Sequence, residues 1–499
     1  MTQPTPSIAI IGFGFAGLCL GMQLERAGID DFTIFEKAPQ LGGTWRDNQY
    51  PGAACDIPSL SYCFSFEPNA SWSRKWAPQA EILAYMERCA KKHDLLRRVR
   101  FGVEIARARY DAGVWHLETT RGDRFAANVL VSAVGQLSRP SMPSIDGIDG
   151  FTGRSFHAAR WPAGEDLAGR SVAVVGNAAS GVQIIPEVAR RAKQVFVFQR
   201  SANWIVPKND RVYSAAERAV FRVATPVARL KRWSIWGSNE ARLPVMKKNR
   251  LFSAAATLIA RRHLNSQVAD PAMRLALTPD YPIGAKRILI SDDYYPALQR
   301  PNVRLVTAPI ARATSAGLVT RDGERWPADT IVFATGFHAT EMLAPMHIEG
   351  HDGVTLDHTW RDGAAAYLGI SVAGFPNLFL LYGPNTGLGH NSMLFMLECQ
   401  TRYILGALSA MRERGLRSLD VRPEVQSAYD AELQRDLSGT VWAAVEKSWY
   451  KNDRGRITNN WPYSTAQYWM RTRRFDLRRY LAATSAGVAT DTTGKRPHP

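Results

Sequence analysis

Two copies of a strand, glycine turn and helix, with their first glycines 164 residues apart, constrain this chain more than any other feature. The first copy runs from residues 7–11 through Gly12-Phe13-Gly14-Phe15-Ala16-Gly17 into a helical pattern that reaches about Gly28. Glycines at these spacings let the chain turn sharply, so that backbone N–H groups at the helix start can meet a pyrophosphate. The next apolar run, residues 32–35, ends at Glu36, 19 residues beyond Gly17. A carboxylate there accepts hydrogen bonds from a ribose 2′-hydroxyl and repels a 2′-phosphate. The first site therefore takes FAD or NAD, and its N-terminal position favours FAD.

The pattern recurs at residues 172–175, followed by Gly176-Asn177-Ala178-Ala179-Ser180-Gly181, a helix to about Ala192 and a strand over 195–198. At the equivalent position, again 19 residues past the last glycine, stands Arg200. Arginine suits a 2′-phosphate, because a charge-assisted hydrogen bond contributes about 1.5 to 3 kcal/mol. The second site is expected to hold NADP. Ala178 replaces the middle glycine, which leaves less room for close approach to the pyrophosphate.

The remaining composition excludes several function classes. At 499 residues the chain exceeds one ordinary hydrophobic core, so several domains are expected. The five cysteines form no C-x-x-C pair, which argues against a metal site, a disulfide framework and the dithiol that a disulfide reductase needs. The apolar stretch 8–20 is interrupted by three glycines and preceded by no basic residue, so it reads as a buried strand and turn rather than a signal peptide. No run approaches the roughly 18 to 20 apolar residues of a membrane span, and a reducing cytoplasm is the expected location. The net charge of +17 is spread over short basic clusters without a nucleic-acid-binding signature, so nucleic acid is not an expected partner. Positive charge of this size also favours encounter with a polyanion such as NADPH.

Between the two glycine motifs lies Phe151-Thr-Gly153-Arg-Ser-Phe-His157-Ala-Ala-Arg-Trp161-Pro162. Its spacing resembles the F-x-G-x-x-x-H-x-x-x-W-P fingerprint of type I Baeyer–Villiger monooxygenases, flavoenzymes that insert one oxygen atom of O2 beside a ketone carbonyl. Residues 42–56, which include Gly43, Thr44 and Trp45 and end on Asp56, are similar to a second motif of that family. Thr335 and Gly336 fall in an A-T-G-F segment where the family's chain returns to its FAD domain, and residues 383–387 are similar to a later turn of that domain. Lys286-Arg287, shortly before Asp293-Tyr294-Tyr295, matches the place where a family arginine reaches the flavin.

The resemblance implies an α/β fold with two Rossmann-like dinucleotide-binding domains, for FAD and NADP, and a helical insertion in the NADP domain. The expected limits are a FAD domain over 1–140 and 336–484, a linker with the fingerprint over 141–168, and an NADP domain over 169–208 and 284–335. Between the NADP-domain parts, 209–283 is expected as a helical cap, with helices over 215–227 and 251–262, that sets the size of the ketone. Its basic, Trp-containing face at Lys231, Arg232, Trp233 and Trp236 also suits peripheral contact with lipid headgroups. The tail 485–499 is expected to be disordered.

The implied reaction is NADPH reduction of FAD, addition of O2 to give a C4a-peroxyflavin, and attack of that peroxide on a ketone to give an ester or lactone. An anionic peroxide in a dry pocket needs a permanent positive charge beside it. Arg287 is the expected source, since arginine keeps its proton on burial, and Asp56 is expected to orient it. Lys286 is expected to assist Arg200 at the 2′-phosphate. His157 is read as positioning the two domains rather than transferring protons, and Phe151 and Trp161 as packing. Phe395, Trp442, Trp449, Tyr450 and Trp461 are candidates for the ketone pocket, with core packing the competing use. The rival function is flavin-dependent oxidation of sulfur or nitrogen centres.

Overall fold

A computed structural model describes residues 6–484; the tail expected to be disordered lies outside them. Two five-stranded parallel sheets form its frame. The first has the strand order Leu378–Leu380, Val129–Ser132, Ile8–Ile11, Phe32–Glu36, Val99–Phe101. The second has the order Val303–Val306, Gln194–Phe198, Ser171–Val175, Thr330–Phe333, Arg154–His157. Strands Ile8–Ile11, Val129–Ser132 and Thr330–Phe333 are buried along their whole length, as expected of central parallel strands covered on both faces.

In each sheet the strand before the glycine turn has its successor on one side and a later strand on the other. The strand order reverses there, which opens a crevice at the carboxyl ends where ligands of such sheets bind. Strand Leu378–Leu380 returns to the first sheet beside Val129–Ser132, with Leu378 opposite Leu130. The first domain is thus closed by chain that follows the second.

The fingerprint is more than a connector. Arg154–His157 is the edge strand of the second sheet, with Phe156 opposite Val332 and His157 opposite Phe333. The second domain therefore begins before 154, inside the segment 141–168 expected as linker. Its first two residues are exposed and only Phe156 and His157 are buried, so this half-wet edge strand lacks the apolar run that marks the others.

Residues 209–283 fold as helices Ala215–Val223, Thr225–Glu240, Leu243–Met246, Arg250–Gln267 and Pro271–Ala276. The helix expected over 215–227 breaks at Ala224 (φ −98°, ψ 72°), because Pro226 has no N–H to continue the ladder and its ring would clash with the carbonyl four residues back, so it serves instead in the first turn of the next helix. Among the described residues no helix is long and apolar enough to cross a membrane.

Candidate active site

The two glycine turns are built alike. Gly12 and Gly176 both have φ +104°, a region that favours glycine, and a Cβ on either would sit 2.6 Å from the Ala133 carbonyl oxygen or 2.5 Å from that of Ala334. A Cβ on Gly17 would meet the Gly12 oxygen at 2.0 Å, and one on Gly181 the Gly176 oxygen at 2.3 Å. These glycines press each helix onto its own turn. Gly14 differs: it starts helix Phe15–Arg26 with φ −81° and ψ −162°, and Ala178 starts helix Ala179–Arg191 with φ −78° and ψ −156°. Alanine therefore costs the second turn nothing conformationally.

Both turns open into one cleft of about 1240 Å³ that runs between the domains. Glu36 lies at its floor, 4% exposed, with Oε2 accepting from Phe13 N (2.9 Å) and Oε1 from Ala38 N (2.9 Å) and Arg46 Nη1 (3.1 Å). Three of its roughly four acceptor positions are taken, which fixes the carboxylate's orientation at the end of its strand and leaves it room for one more donor. Gly43 (φ +51°) backs onto Gly14, and Thr44 and Trp45 follow in the short helix Thr44–Asp47 that lines the same wall. Trp45 Nε1 donates to the Tyr62 hydroxyl at 3.0 Å.

At the second turn, Ser180 and Arg200 line the cleft and Lys286 joins them from 86 residues further on. Lys286 Nζ lies 3.2 Å from Ser201 Oγ and 4.3 Å from the centre of the Tyr281 ring. Burial, and then the neighbouring Arg200 charge, push the Lys286 ammonium below the usual lysine range. Among the described residues no carboxylate lies within 4.0 Å of either cation. Two converging cations with no carboxylate in contact among the described residues fit a doubly charged phosphate. On the other wall, the glycine turns, Glu36 and the open N-terminus of helix Phe15–Arg26 fit a flavin dinucleotide.

Asp56 and Arg287 meet across 231 residues of sequence. Arg287 Nε and Nη2 approach the same carboxylate oxygen, Asp56 Oδ2, at 2.7 and 2.5 Å, and both side chains line the cleft. Asp56 holds the guanidinium well above its usual range against the opposing effect of burial, so Arg287 is a permanent cation. Tyr382 and Tyr450 stand close enough to feel this charge. Burial pushes the Tyr450 hydroxyl up to about 12, which keeps it a neutral hydrogen-bond donor.

The remaining candidates divide. Thr335 and Gly336 (φ +84°) line the cleft, and Thr335 Oγ1 donates to the Ser141 carbonyl at 2.6 Å, tying the return crossing to the outward one. The fingerprint residues do not line it. His157 Nδ1 accepts from Ala159 N (3.1 Å), its ring edge faces Phe337, and burial holds its imidazole below the usual range. Trp161 packs edge-on against Phe156, and a Cβ at Gly153 would strike the Asp329 carbonyl oxygen at 2.4 Å. Pro162 closes this segment. Trp449 and Tyr450 line the cleft, whereas Trp442 and Trp461 are wholly buried core and Phe395 packs against Trp236.

None of residues 209–283 lines the cleft, contrary to the expectation that this segment sets the ketone's size. It acts one layer back. Glu240 accepts from Asn391 Nδ2 (2.6 Å), Thr465 Oγ1 (2.7 Å) and Thr465 N (3.2 Å), with His390 Nε2 at 3.4 Å, and Asn391 is the cleft residue it holds. A second bridge joins the domains directly. Gln183 Oε1 accepts from the Tyr50 hydroxyl and its Nε2 donates to the Ala54 carbonyl, both at 3.0 Å, while Gly52 lets that loop lie against the Gln183 backbone. Gln183, Glu240, Asn391 and Tyr382 carry no sequence signal of their own.

The flavin-binding monooxygenase-like family model matches residues 5–343. A Baeyer–Villiger monooxygenase of Streptomyces coelicolor is 43% identical over 477 residues, covering 95% of this chain and 92% of that protein. The chain belongs to this family. A Baeyer–Villiger monooxygenase of Pseudomonas aeruginosa is 42% identical, covering 97% of this chain and 94% of its own length. A solved steroid monooxygenase, oxidised and bound to NADP, superimposes with a TM-score of 0.87 at 32% identity, covering 96% of this chain and all of that one. As a Baeyer–Villiger monooxygenase the protein is an FAD- and NADPH-dependent enzyme that converts ketones to esters or lactones.

Proposed function

We propose that the Arg287–Asp56 pair is the charged centre of ketone oxygenation in this cleft, with Arg200 and Lys286 selecting NADPH. The observation that carries the reading is the short, single-oxygen contact between Asp56 and Arg287 in a cleft shared by both glycine turns. FAD bound at the first turn and reduced by NADPH supplies the oxygen-activating chemistry. Asp56 engages one edge of the guanidinium and leaves the other without a protein partner among the described residues. That free edge would offer N–H donors and a permanent positive charge to the oxygen chemistry that bound flavin would supply. Because Asp56 fixes the guanidinium beforehand, little reorganisation is needed as charge develops. Tyr382, Leu388, Asn391, Leu394, Trp449 and Tyr450 form the wall against which an apolar ketone rests. Arg200 and Lys286 bind the 2′-phosphate, and Glu36 holds the flavin's ribose. The helical segment 209–283 also carries the surface chemistry for a peripheral contact with lipid.

Arg287→Ala and Arg287→Lys test the assignment in FAD-loaded enzyme, with ketone product followed by mass spectrometry beside NADPH consumption. Loss of one preorganised charge-stabilising donor lowers kcat by about 10² to 10³. The expected result is that ester or lactone disappears while flavin reduction by NADPH continues and its electrons pass to hydrogen peroxide. An alanine variant that binds FAD and keeps most of its ketone oxygenation would remove Arg287 from the mechanism.

A further inference from the structure

The outer surface of the helical segment combines two properties that soluble surfaces rarely combine. Of the 18 exposed large apolar side chains among the described residues, 11 lie between Val212 and Leu275. Residues 211–262 also hold twelve Lys and Arg against two acids, Glu217 and Glu240, an excess of ten in a chain whose net charge is +17. Neither acid softens that surface: Glu217 is paired with Arg211 at 2.7 Å, and Glu240 turns inward to Asn391 and Thr465.

The apolar residues are ordered. Arg232 Nη1 donates to the Leu60 and Cys63 carbonyls at 3.1 and 2.8 Å, and with buried Asn239 it pins one side of helix Thr225–Glu240 to the first domain. Val227 and Leu230 lie on the opposite side, three residues apart, and Val220 and Val223 share the same spacing on the preceding helix. Val223 is 85% exposed and Leu230 72%. Arg222, Arg229 and Lys231 border them. Helix Arg250–Gln267 repeats the arrangement, with Leu251, Phe252, Leu258 and Ile259 exposed beside Arg261 and Arg262.

We propose that this face docks on an anionic lipid surface. A second copy of the same face would bring two strongly positive surfaces together, which opposes pairing through it. Nucleic acid satisfies the cations but offers nothing to the exposed valines and leucines. A bilayer with acidic headgroups satisfies both, taking aliphatic side chains into the headgroup boundary while the cations stay among the phosphates. The proposal goes beyond the oxygenation reading and is independent of it, since binding is read without turnover.

The test is co-sedimentation of full-length FAD-loaded enzyme with phosphatidylcholine vesicles, with and without phosphatidylglycerol, as salt is raised. Binding is expected only with phosphatidylglycerol and should weaken with salt. Val223→Ser/Leu230→Ser should abolish most of it while FAD content and oxidation of a water-miscible ketone are unchanged. Arg222→Gln and Arg229→Gln should each weaken it roughly fivefold. Three results would overturn the proposal: no binding to acidic vesicles, binding that ignores the serine substitutions, or a dimer in solution that those substitutions dissociate.

Discussion

Lys286 illustrates how a single residue can report on its site. Its ammonium is pushed below the usual lysine range by burial and by Arg200, so the cationic form is lost at a lower pH than for a free lysine near 10.4. Because kcat/KM follows the free enzyme's ionisations, kcat/KM for NADPH should fall on the alkaline side earlier than an ordinary lysine would dictate. Lys286→Arg should flatten that limb, since a guanidinium does not titrate there. NADH, which lacks the 2′-phosphate, should show no such limb; an identical limb with NADH would place the titration elsewhere. Arg200→Ala should raise the KM for NADPH about tenfold or more, the equivalent of one charge-assisted hydrogen bond, and leave that for NADH nearly unchanged. At this scale the sequence was most informative for Glu36 and Arg200. Each lies one strand beyond a glycine turn, so local spacing alone places it. The meeting of Asp56 with Arg287 is different, because 231 residues intervene and only the family's motifs brought the two into one hypothesis.

Between elements, the decisive contacts are those that local patterns do not encode. Helix Thr225–Glu240 reaches the cleft through Glu240, whose partners His390, Asn391 and Thr465 lie 150 to 225 residues away and on no shared period. The edge strand Arg154–His157 was hidden for a related reason: half of it faces water, so it reads as connector until its pairing with Thr330–Phe333 is seen. The helices of 209–283 were readable from their amphipathic spacing, whereas their place one layer behind the cleft lining was not. Glu240 gives this a test. Burial pushes its carboxyl up, but the nearby His390 ring and the hydrogen bonds from Asn391 and Thr465 outweigh that and hold it below the usual range, so it is an anion that aims Asn391. Glu240→Gln should weaken that hold, raising KM for the ketone and the share of NADPH lost to hydrogen peroxide, with flavin reduction by NADPH unchanged. A purely structural role would lower Tm, by an amount reflecting about 1 to 3 kcal/mol, and leave KM and coupling alone.

Across the whole molecule, positive charge has two centres with different ranges of action. Ten of the seventeen net charges fall within residues 211–262, none of which lines the cleft, while Arg200 and Lys286 stand inside it with no carboxylate within 4.0 Å among the described residues. At about 0.1 M salt the Debye length is about 10 Å, so outer charges further from the cleft than that are largely screened from a nucleotide there while a contacting cation is not. The second-order rate of flavin reduction should therefore fall more steeply with salt for NADPH than for NADH, because the 2′-phosphate adds about two negative charges. Arg222→Gln and Arg229→Gln should leave both rates unchanged at that ionic strength even though vesicle binding weakens. Stopped-flow reduction across a salt series with both nucleotides separates the two centres. Equal slopes for NADPH and NADH would mean that the net charge, not the Arg200 and Lys286 pair, governs encounter, and a slowed NADPH reaction in the outer variants would mean that the two centres act as one field.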